Sequence, residues 1–297
     1  MNTEPSLLIF GEALADVFPD RAVLGGAPFN VARHTARLGV RTALLSRVAA
    51  DPLGSSIIQA CKHSGIDTRL LQDNCEIPTG RVQVHLHAQG GHTFEIESHS
   101  AWDFIDPPAF PLMNAFQNAV LVYGTLALRQ THNRHTFELL CQVHRGLRVC
   151  DFNWRAGHTP FEVALGAIEQ ADWLKISDEE LSLLAQHLQH PEDDLQGLRT
   201  RWCLDRLIVT RGADGYTDVT ADALVNGPAF PVDHFEDTVG AGDSFLAATL
   251  AAHLHGWTGP QALAFASEFA ASICGVRGAV PDNAAHYSPF LSRLTNT

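Results

Sequence analysis

The chain predicts a doubly wound α/β fold, a mostly parallel sheet flanked by helices, with a small β-sheet standing off it. Three observations carry that expectation. Strand-like apolar runs alternate with helical patterns along most of the sequence, which is the rhythm of repeated β–α units. One region breaks that rhythm with strict period-two alternation. The length of 297 residues suits one large α/β domain with a small appendage.

The runs Leu7–Phe10, Thr42–Arg47, Ala119–Tyr123, Leu147–Phe152, Trp173–Ile176 and Leu207–Thr210 read as buried parallel strands. Between them Asn30–Leu38, Leu53–Ser64, His132–His144, Phe161–Gln170 and Glu179–His187 read as helices. The region Arg81–His87 alternates, Gln89-Gly90-Gly91 turns, and His92–Ile96 alternates again, as a hairpin with one apolar face does. Joined by Ala13–Leu24 it makes a small separate sheet; by pattern alone it is equally an ordinary edge hairpin. Ligands of doubly wound sheets bind at the carboxyl ends of the strands.

Composition excludes several function classes. The hydrophobic share of 45% is that of a soluble globular protein, and no apolar run is long enough to span a membrane. A net charge of −13 disfavours nucleic acid as a partner, since phosphate contacts need clustered cations. The N-terminus lacks the pattern of a secretory signal. Six scattered cysteines without a C-x-x-C pair suggest neither zinc nor disulfides, so a reduced, cytoplasmic protein is expected. The 16 histidines are dispersed, without H-E-x-x-H, and read as surface or core side chains rather than metal ligands. The only two lysines, Lys62 and Lys175, follow Cys61 and Leu174, so there is no Gly-Lys-Ser/Thr loop. A nucleotide's phosphates would have to be held by backbone amides and arginine.

Asp237-Thr238-Val239-Gly240-Ala241-Gly242-Asp243-Ser244-Phe245 supplies such amides. A glycine turn opening a helix aims several N–H groups, backed by the helix dipole, at one spot suited to an anion. An acid is a poor anion ligand, so Asp243 reads either as a helix cap or as a general base beside a bound phosphate. The nine-residue string resembles the C-terminal signature of the ribokinase-like, phosphofructokinase-B type sugar kinases. That resemblance implies Asp243 as catalytic base, Gly240, Ala241 and Gly242 as an anion hole, and Asp237 and Thr238 beside a monovalent-cation site for potassium.

The remaining segments fit the same family. Gly11-Glu12-Ala13-Leu14-Ala15-Asp16 follows the first strand, and Asp16 is either a solvated loop acid or a sugar-hydroxyl acceptor. Gly25-Gly26-Ala27-Pro28-Phe29-Asn30 permits close backbone approach and offers an amide to a polyol, or is a helix entry with proline in its first turn. It looks like the family's N-terminal signature, in the Gly-Gly-Ala-Pro form associated with fructokinases, which implies sugar binding by Asp16, Gly26 and Asn30. Phe29 replaces a usually small residue there.

Asp151-Phe152-Asn153-Trp154-Arg155 ends a strand and resembles the family's Asp-x-Asn-x-Arg segment, which implies Arg155 at the transferring phosphate. Ser177-Asp178-Glu179-Glu180 reads as a helix cap. By resemblance Ser177 stands at the Asn of Asn-x-x-Glu, and Glu180 acts on Mg²⁺ through water. Thr210-Arg211-Gly212-Ala213-Asp214-Gly215 is a tight turn that resembles the nucleotide-binding one, with Thr210, Gly212 and Gly215 near ATP. Ser267 stands where relatives often line the adenine pocket with Asn, and Gly278 falls in the cation loop.

Taken together, the resemblance implies one ribokinase-like domain over residues 1–297, with a lid from about 13–24 and 79–104 that also serves as a homodimer contact. It implies an ATP- and Mg²⁺-dependent sugar kinase, fructose being the first acceptor and 2-keto-3-deoxygluconate, ribose or a nucleoside the alternatives. A nicotinamide-dependent dehydrogenase is the rival enzyme class, but Phe245 stands where the third glycine of its fingerprint belongs. A non-catalytic sugar sensor on the same fold is the other.

Overall fold

The structure is a computed structural model that describes residues 6–86 and 92–295. Thirteen strands are assigned among them: β1 Leu7–Phe10, β2 Leu14–Val17, β3 Ala22–Gly25, β4 Thr42–Ala49, β5 Leu71–Cys75, β6 Gly80–Leu86, β7 His92–Ile96, β8 Val120–Gly124, β9 Arg148–Asp151, β10 Trp173–Ser177, β11 Arg206–Thr210, β12 Tyr216–Thr220 and β13 Leu224–Gly227. The helices are α1 Ala27–Arg37, α2 Pro52–Ser64, α3 Phe110–Ala115, α4 Thr131–Val143, α5 Phe161–Glu169, α6 Asp178–Leu188, α7 Leu195–Arg201, α8 Ala241–Leu254, α9 Gly259–Cys274 and α10 Ser288–Thr295.

Nine strands form the main sheet in the order β13-β12-β11-β10-β9-β8-β1-β4-β5. The neighbours from β5 to β11 are parallel, and the edge pairs β11/β12 and β12/β13 are antiparallel. From β1 the chain winds outward through β4 and β5, then returns to β8 on the other side of β1. That reversal opens a crevice at the carboxyl ends of β1 and β8, the usual ligand position in open α/β sheets. In β1 the side chains alternate between two layers: Leu7 and Ile9 join the core with α1, α8 and α9, whereas Leu8 and Phe10 join the core with α4 and α5. A strand buried on both faces has to be apolar at every position, which is why it reads as an unbroken run.

The predicted parallel strands and the five predicted helices are all present. Helix α1 begins at Ala27, three residues ahead of the expected Asn30, because Gly26 takes a φ of 104° as its N-cap and Pro28 fits the first turn. Helix α8 is apolar on every side, Ser244 to Ala252 being buried between α1 and α9, so its sequence lacks an amphipathic stripe.

The second sheet has the order β3-β2-β6-β7, with β6/β7 the expected antiparallel hairpin. The turn expected at Gln89-Gly90-Gly91 lies outside the described residues. The chain leaving this sheet is tied down by a buried ion pair. Asp103 accepts from Arg129 Nε at 2.7 Å and Nη2 at 2.6 Å, and also from the Ser100 N–H at 2.9 Å, while the guanidinium lies 4.1 Å above the Trp102 ring.

Asp103→Ala should therefore leave a buried guanidinium unpaired and cost about 3–5 kcal/mol. Chemical denaturation checks this, and a loss below about 1 kcal/mol would show that the pair is dispensable.

Candidate active site

The site gathers at the N-terminus of α8. Gly240 caps the helix at a φ of 79°, a left-handed conformation that glycine adopts without strain, and Ala241 and Gly242 form the first turn. A Cβ on Gly240 would fall 2.6 Å from Ala279, so the turn is packed against the loop that follows α9. The Ala241 N–H is given to the Thr238 carbonyl at 3.1 Å, and the other N–H groups of the turn, with the dipole behind them, make an anion-binding concavity.

Helix α1 brings the sugar-side signature to the same place. Asn30 Nδ2 donates to Asp243 Oδ2 at 2.9 Å across 213 residues of sequence. The amide pins the carboxyl in one orientation and favours its charged form, but burial and the neighbouring Asp151 outweigh it, and the Asp243 pKa rises to about 6. The same helix also holds the loop after α9. His34 Nε2 lies 2.9 Å from the Ala279 carbonyl, and Nδ1 lies 2.9 Å from the Tyr287 hydroxyl. A carbonyl only accepts, so Nε2 carries the proton and Nδ1 accepts from the tyrosine. Burial holds this imidazole neutral, with its pKa lowered to about 3.

Among the residues singled out in the sequence, Thr210, Gly212, Gly215, Thr238, Ala241, Gly242 and Ser267 line one cleft of about 550 Å³, with Phe230, Val232 and Phe235 on its wall. An apolar slot beside a helix N-terminus suits a flat heterocycle carrying phosphates. The Ser267 hydroxyl is already committed: it accepts from the Phe230 N–H at 3.0 Å and donates to the Pro228 carbonyl at 3.1 Å, so it fastens the 228–232 loop over the cleft.

Asp16 on β2 pairs across the small sheet with Val23, and burial raises its pKa to about 6. Gly26 packs on Glu12, whose carbonyl lies 2.7 Å from the position of a Gly26 Cβ. Arg155 is exposed, and its charge acts on both Asp243 and Glu12. Asp237 Oδ1 accepts from the Val239 N–H at 3.0 Å, and its own N–H reaches the Cys274 carbonyl, so this segment lies against the end of α9. Gly278 takes a φ of 83° beside Ala279, which meets Gly240.

Glu180 completes the capping box expected at Ser177: its Oε2 accepts from the Ser177 N–H at 3.0 Å. Its Oε1 accepts from the Trp154 N–H at 2.8 Å, which ties the segment carrying Arg155 to the start of α6. Each oxygen keeps a further lone pair, enough to accept from a metal-bound water. Among the described residues no group of three or more His, Cys, Asp or Glu side chains is placed to hold a metal ion. Glu180, with both oxygens already engaged by backbone, suits a cation's water shell rather than direct ligation.

Three charged groups of the site were not assigned in the sequence: Glu12, Asp151 and Lys175. Each was marked by a charge in or directly after an apolar strand. Lys175 Nζ and Asp151 Oδ1 form a buried pair at 3.0 Å. Glu12 is 2% exposed, its Oε2 has no hydrogen-bond partner among the described residues, and burial raises its pKa to about 7 despite the attraction of Arg155.

A doubly wound sheet with a four-stranded second sheet, and a glycine turn, buried carboxyl and cleft at the carboxyl ends of its strands, is the arrangement of the ribokinase-like kinases. Residues 5–285 match the family described as pfkB family carbohydrate kinase, and the chain belongs to that family. A fructokinase of Klebsiella pneumoniae is 29% identical over 260 residues, 82% of each chain. An aminoimidazole riboside kinase of Salmonella typhimurium is 26% identical over 99% of this chain and 95% of its own. A Vibrio cholerae fructokinase crystallised with fructose, ADP and calcium superposes with a TM-score of 0.78 at 26% identity, covering 95% of this chain and 97% of that one.

Glu12 yields a prediction about stability. Its folded pKa lies above the unfolded value, so the native state holds the proton longer, and stability falls as pH rises from about 4.5 to about 7. Glu12→Gln removes that penalty. It should be more stable than the parent at pH 8, by up to about 3 kcal/mol, with the gap closing toward pH 4.5. Melting curves at the two pH values test this, and a gap that does not change with pH would contradict it.

Proposed function

We propose that the protein is an ATP-dependent sugar kinase that transfers the γ-phosphate to a primary hydroxyl of a monosaccharide, fructose being the first candidate and fructose 6-phosphate its product. The observation that carries this reading is the Asn30–Asp243 hydrogen bond, which joins a polyol-suited amide to a carboxylate at a helix N-terminus. Fructokinases among the relatives support the choice of sugar.

In this reading Asp16, Gly26 and Asn30 hold the sugar hydroxyls. Asp243, oriented by Asn30, takes the proton of the attacking hydroxyl. The turn Gly240-Ala241-Gly242 holds the γ-phosphate through its open N–H groups, most strongly as charge spreads over the phosphate oxygens in transfer. Arg155 adds an exposed positive charge that acts on Asp243 and Glu12. The nucleotide lies along Thr210, Gly212 and Gly215, its base between the apolar wall and the loop fastened by Ser267. Glu180 would receive the water shell of a phosphate-carried Mg²⁺, which would supply charge neutralisation during transfer. Asp237, Thr238 and Gly278 border a site for potassium. The four-stranded sheet acts as a lid over the sugar and as the dimer contact of a cytoplasmic enzyme.

The similarity to an aminoimidazole riboside kinase favours a riboside acceptor as the second reading. ADP release from MgATP across fructose, ribose, 2-keto-3-deoxygluconate, glucose and aminoimidazole riboside decides between them. Fructose should give the highest kcat/KM, and a better acceptor on the panel would replace it. Asp243→Asn should lower kcat by about 10²–10⁴ while leaving the fold intact, as loss of a positioned base does. Turnover like that of the parent would remove Asp243 from the mechanism, and MgATP binding without turnover on any acceptor would favour the sensor.

The pH profile carries a separate expectation. A base works only when deprotonated, and the Asp243 pKa is raised from 3.8 to about 6. The acid limb of kcat/KM should therefore break near pH 6 rather than near pH 4. A flat profile down to pH 5 would show that Asp243 keeps an ordinary carboxylate pKa in the free enzyme.

A further inference from the structure

We propose that Lys175, held by Asp151, is a positioning residue for phosphoryl transfer: its buried ammonium backs the Gly242 end of the anion hole and acts on the γ-phosphate through that turn. The inference rests on the kinase reading above and adds to it a fixed cation from inside the sheet.

The geometry is specific. Lys175 lies in β10, in register with Asp151 of β9 and Ile208 of β11. Its Nζ stands 2.9 Å from the position that a Cβ of Gly242 would take. The second glycine of the turn therefore leaves room for an ammonium from below, while Gly242 itself lines the nucleotide cleft. A lysine seldom sits within a parallel strand, and this one is 7% exposed. Asp151 Oδ1 receives it at 3.0 Å, leaving Asp151 Oδ2 buried without a partner among the described residues.

The charge balance explains why a cation is needed there. Asp151, Glu180 and Asp243 all face the ammonium, from β9, α6 and α8. Glu12 and Arg155 also act on Asp243 or its surroundings. Burial disfavours the charged lysine, but these three acids outweigh it and raise its pKa, so Lys175 stays protonated. Arg155 is exposed and free to swing, whereas Lys175 is fixed before any ligand arrives. A preorganised charge needs no rearrangement when the phosphate becomes more negative during transfer. A polyphosphate entering this cluster of carboxylates would otherwise meet net repulsion.

The test compares Asp151→Asn with Asp151→Asn/Lys175→Met. Both lack the aspartate charge, and they differ only in the ammonium. The double variant leaves no buried lysine without its aspartate. Melting curves establish that each is folded. Two readouts follow: the split between kcat and sugar KM on the acceptor that the panel identifies, and the ratio of MgATP to MgADP affinity by calorimetry.

If the ammonium backs the hole, the double variant loses about 10²-fold in kcat relative to Asp151→Asn, within the range for removing one oxyanion-hole donor. Its sugar KM changes by less than about threefold, and its preference for MgATP over MgADP shrinks. Equal kcat and equal nucleotide preference in the two variants would overturn the proposal and leave the pair a fold element. The nucleotide ratio decides this even if no sugar on the panel is turned over, an outcome that would instead count against the kinase reading.

Discussion

The contact on which the site depends is the hydrogen bond from Asn30 to Asp243. It links the first helix of the chain to the last glycine turn, and both ends are immobilised from behind. Asn30 sits one turn before His34, which grips Ala279, and Ala279 packs on Gly240. The hydrogen bond, the imidazole and the glycine turn thus close a ring of contacts around the N-terminus of α8. A shift of α1 moves the carboxyl, the anion hole and the loop after α9 together. Interiors packed at this density transmit displacement rather than absorb it.

Electrostatics sets the second constraint. The chain carries a net charge of −13, and the site concentrates Glu12, Asp151, Glu180 and Asp243 around one crevice. Acids gathered this closely raise one another's pKa unless cations separate them. Lys175 and Arg155 are those cations, one fixed inside the sheet and one at the surface. Burial and the neighbouring Asp151 raise the Asp243 pKa to about 6, still low enough for the carboxyl to be ionised at neutral pH.

The apolar parts of the molecule serve this arrangement by rigidity. Helix α8 presents its N-terminus to the crevice because the rest of it is buried among α1, α9 and the sheet, so it has no surface along which to slide. Glu180 and Ser267 act similarly at smaller scale. One ties the Arg155 segment to α6, and the other ties the loop over the cleft to α9. Their polar atoms hold backbone in place, which preserves the shape of the cleft.

What the sequence determined by itself was whatever short-range physics dictates. Apolar runs buried on both faces announce parallel strands, glycine before an apolar segment announces a helix N-terminus, and two signatures in order announce the family. Boundaries that depend on a cap geometry, such as the start of α1 at Ala27, were legible only to within a turn. The exposed edge strand β13 left no pattern, because a strand with no buried face needs none. Tertiary structure alone decided which charges meet. Lys175 looks like any interruption of a strand until β9 brings Asp151 to one side and α8 brings Gly242 above it. Ser267 looks like an open hydroxyl until the 228–232 loop takes it. Pairings between residues far apart in sequence are fixed by sheet order and helix packing, and a polar atom's role follows from the partner those contacts deliver.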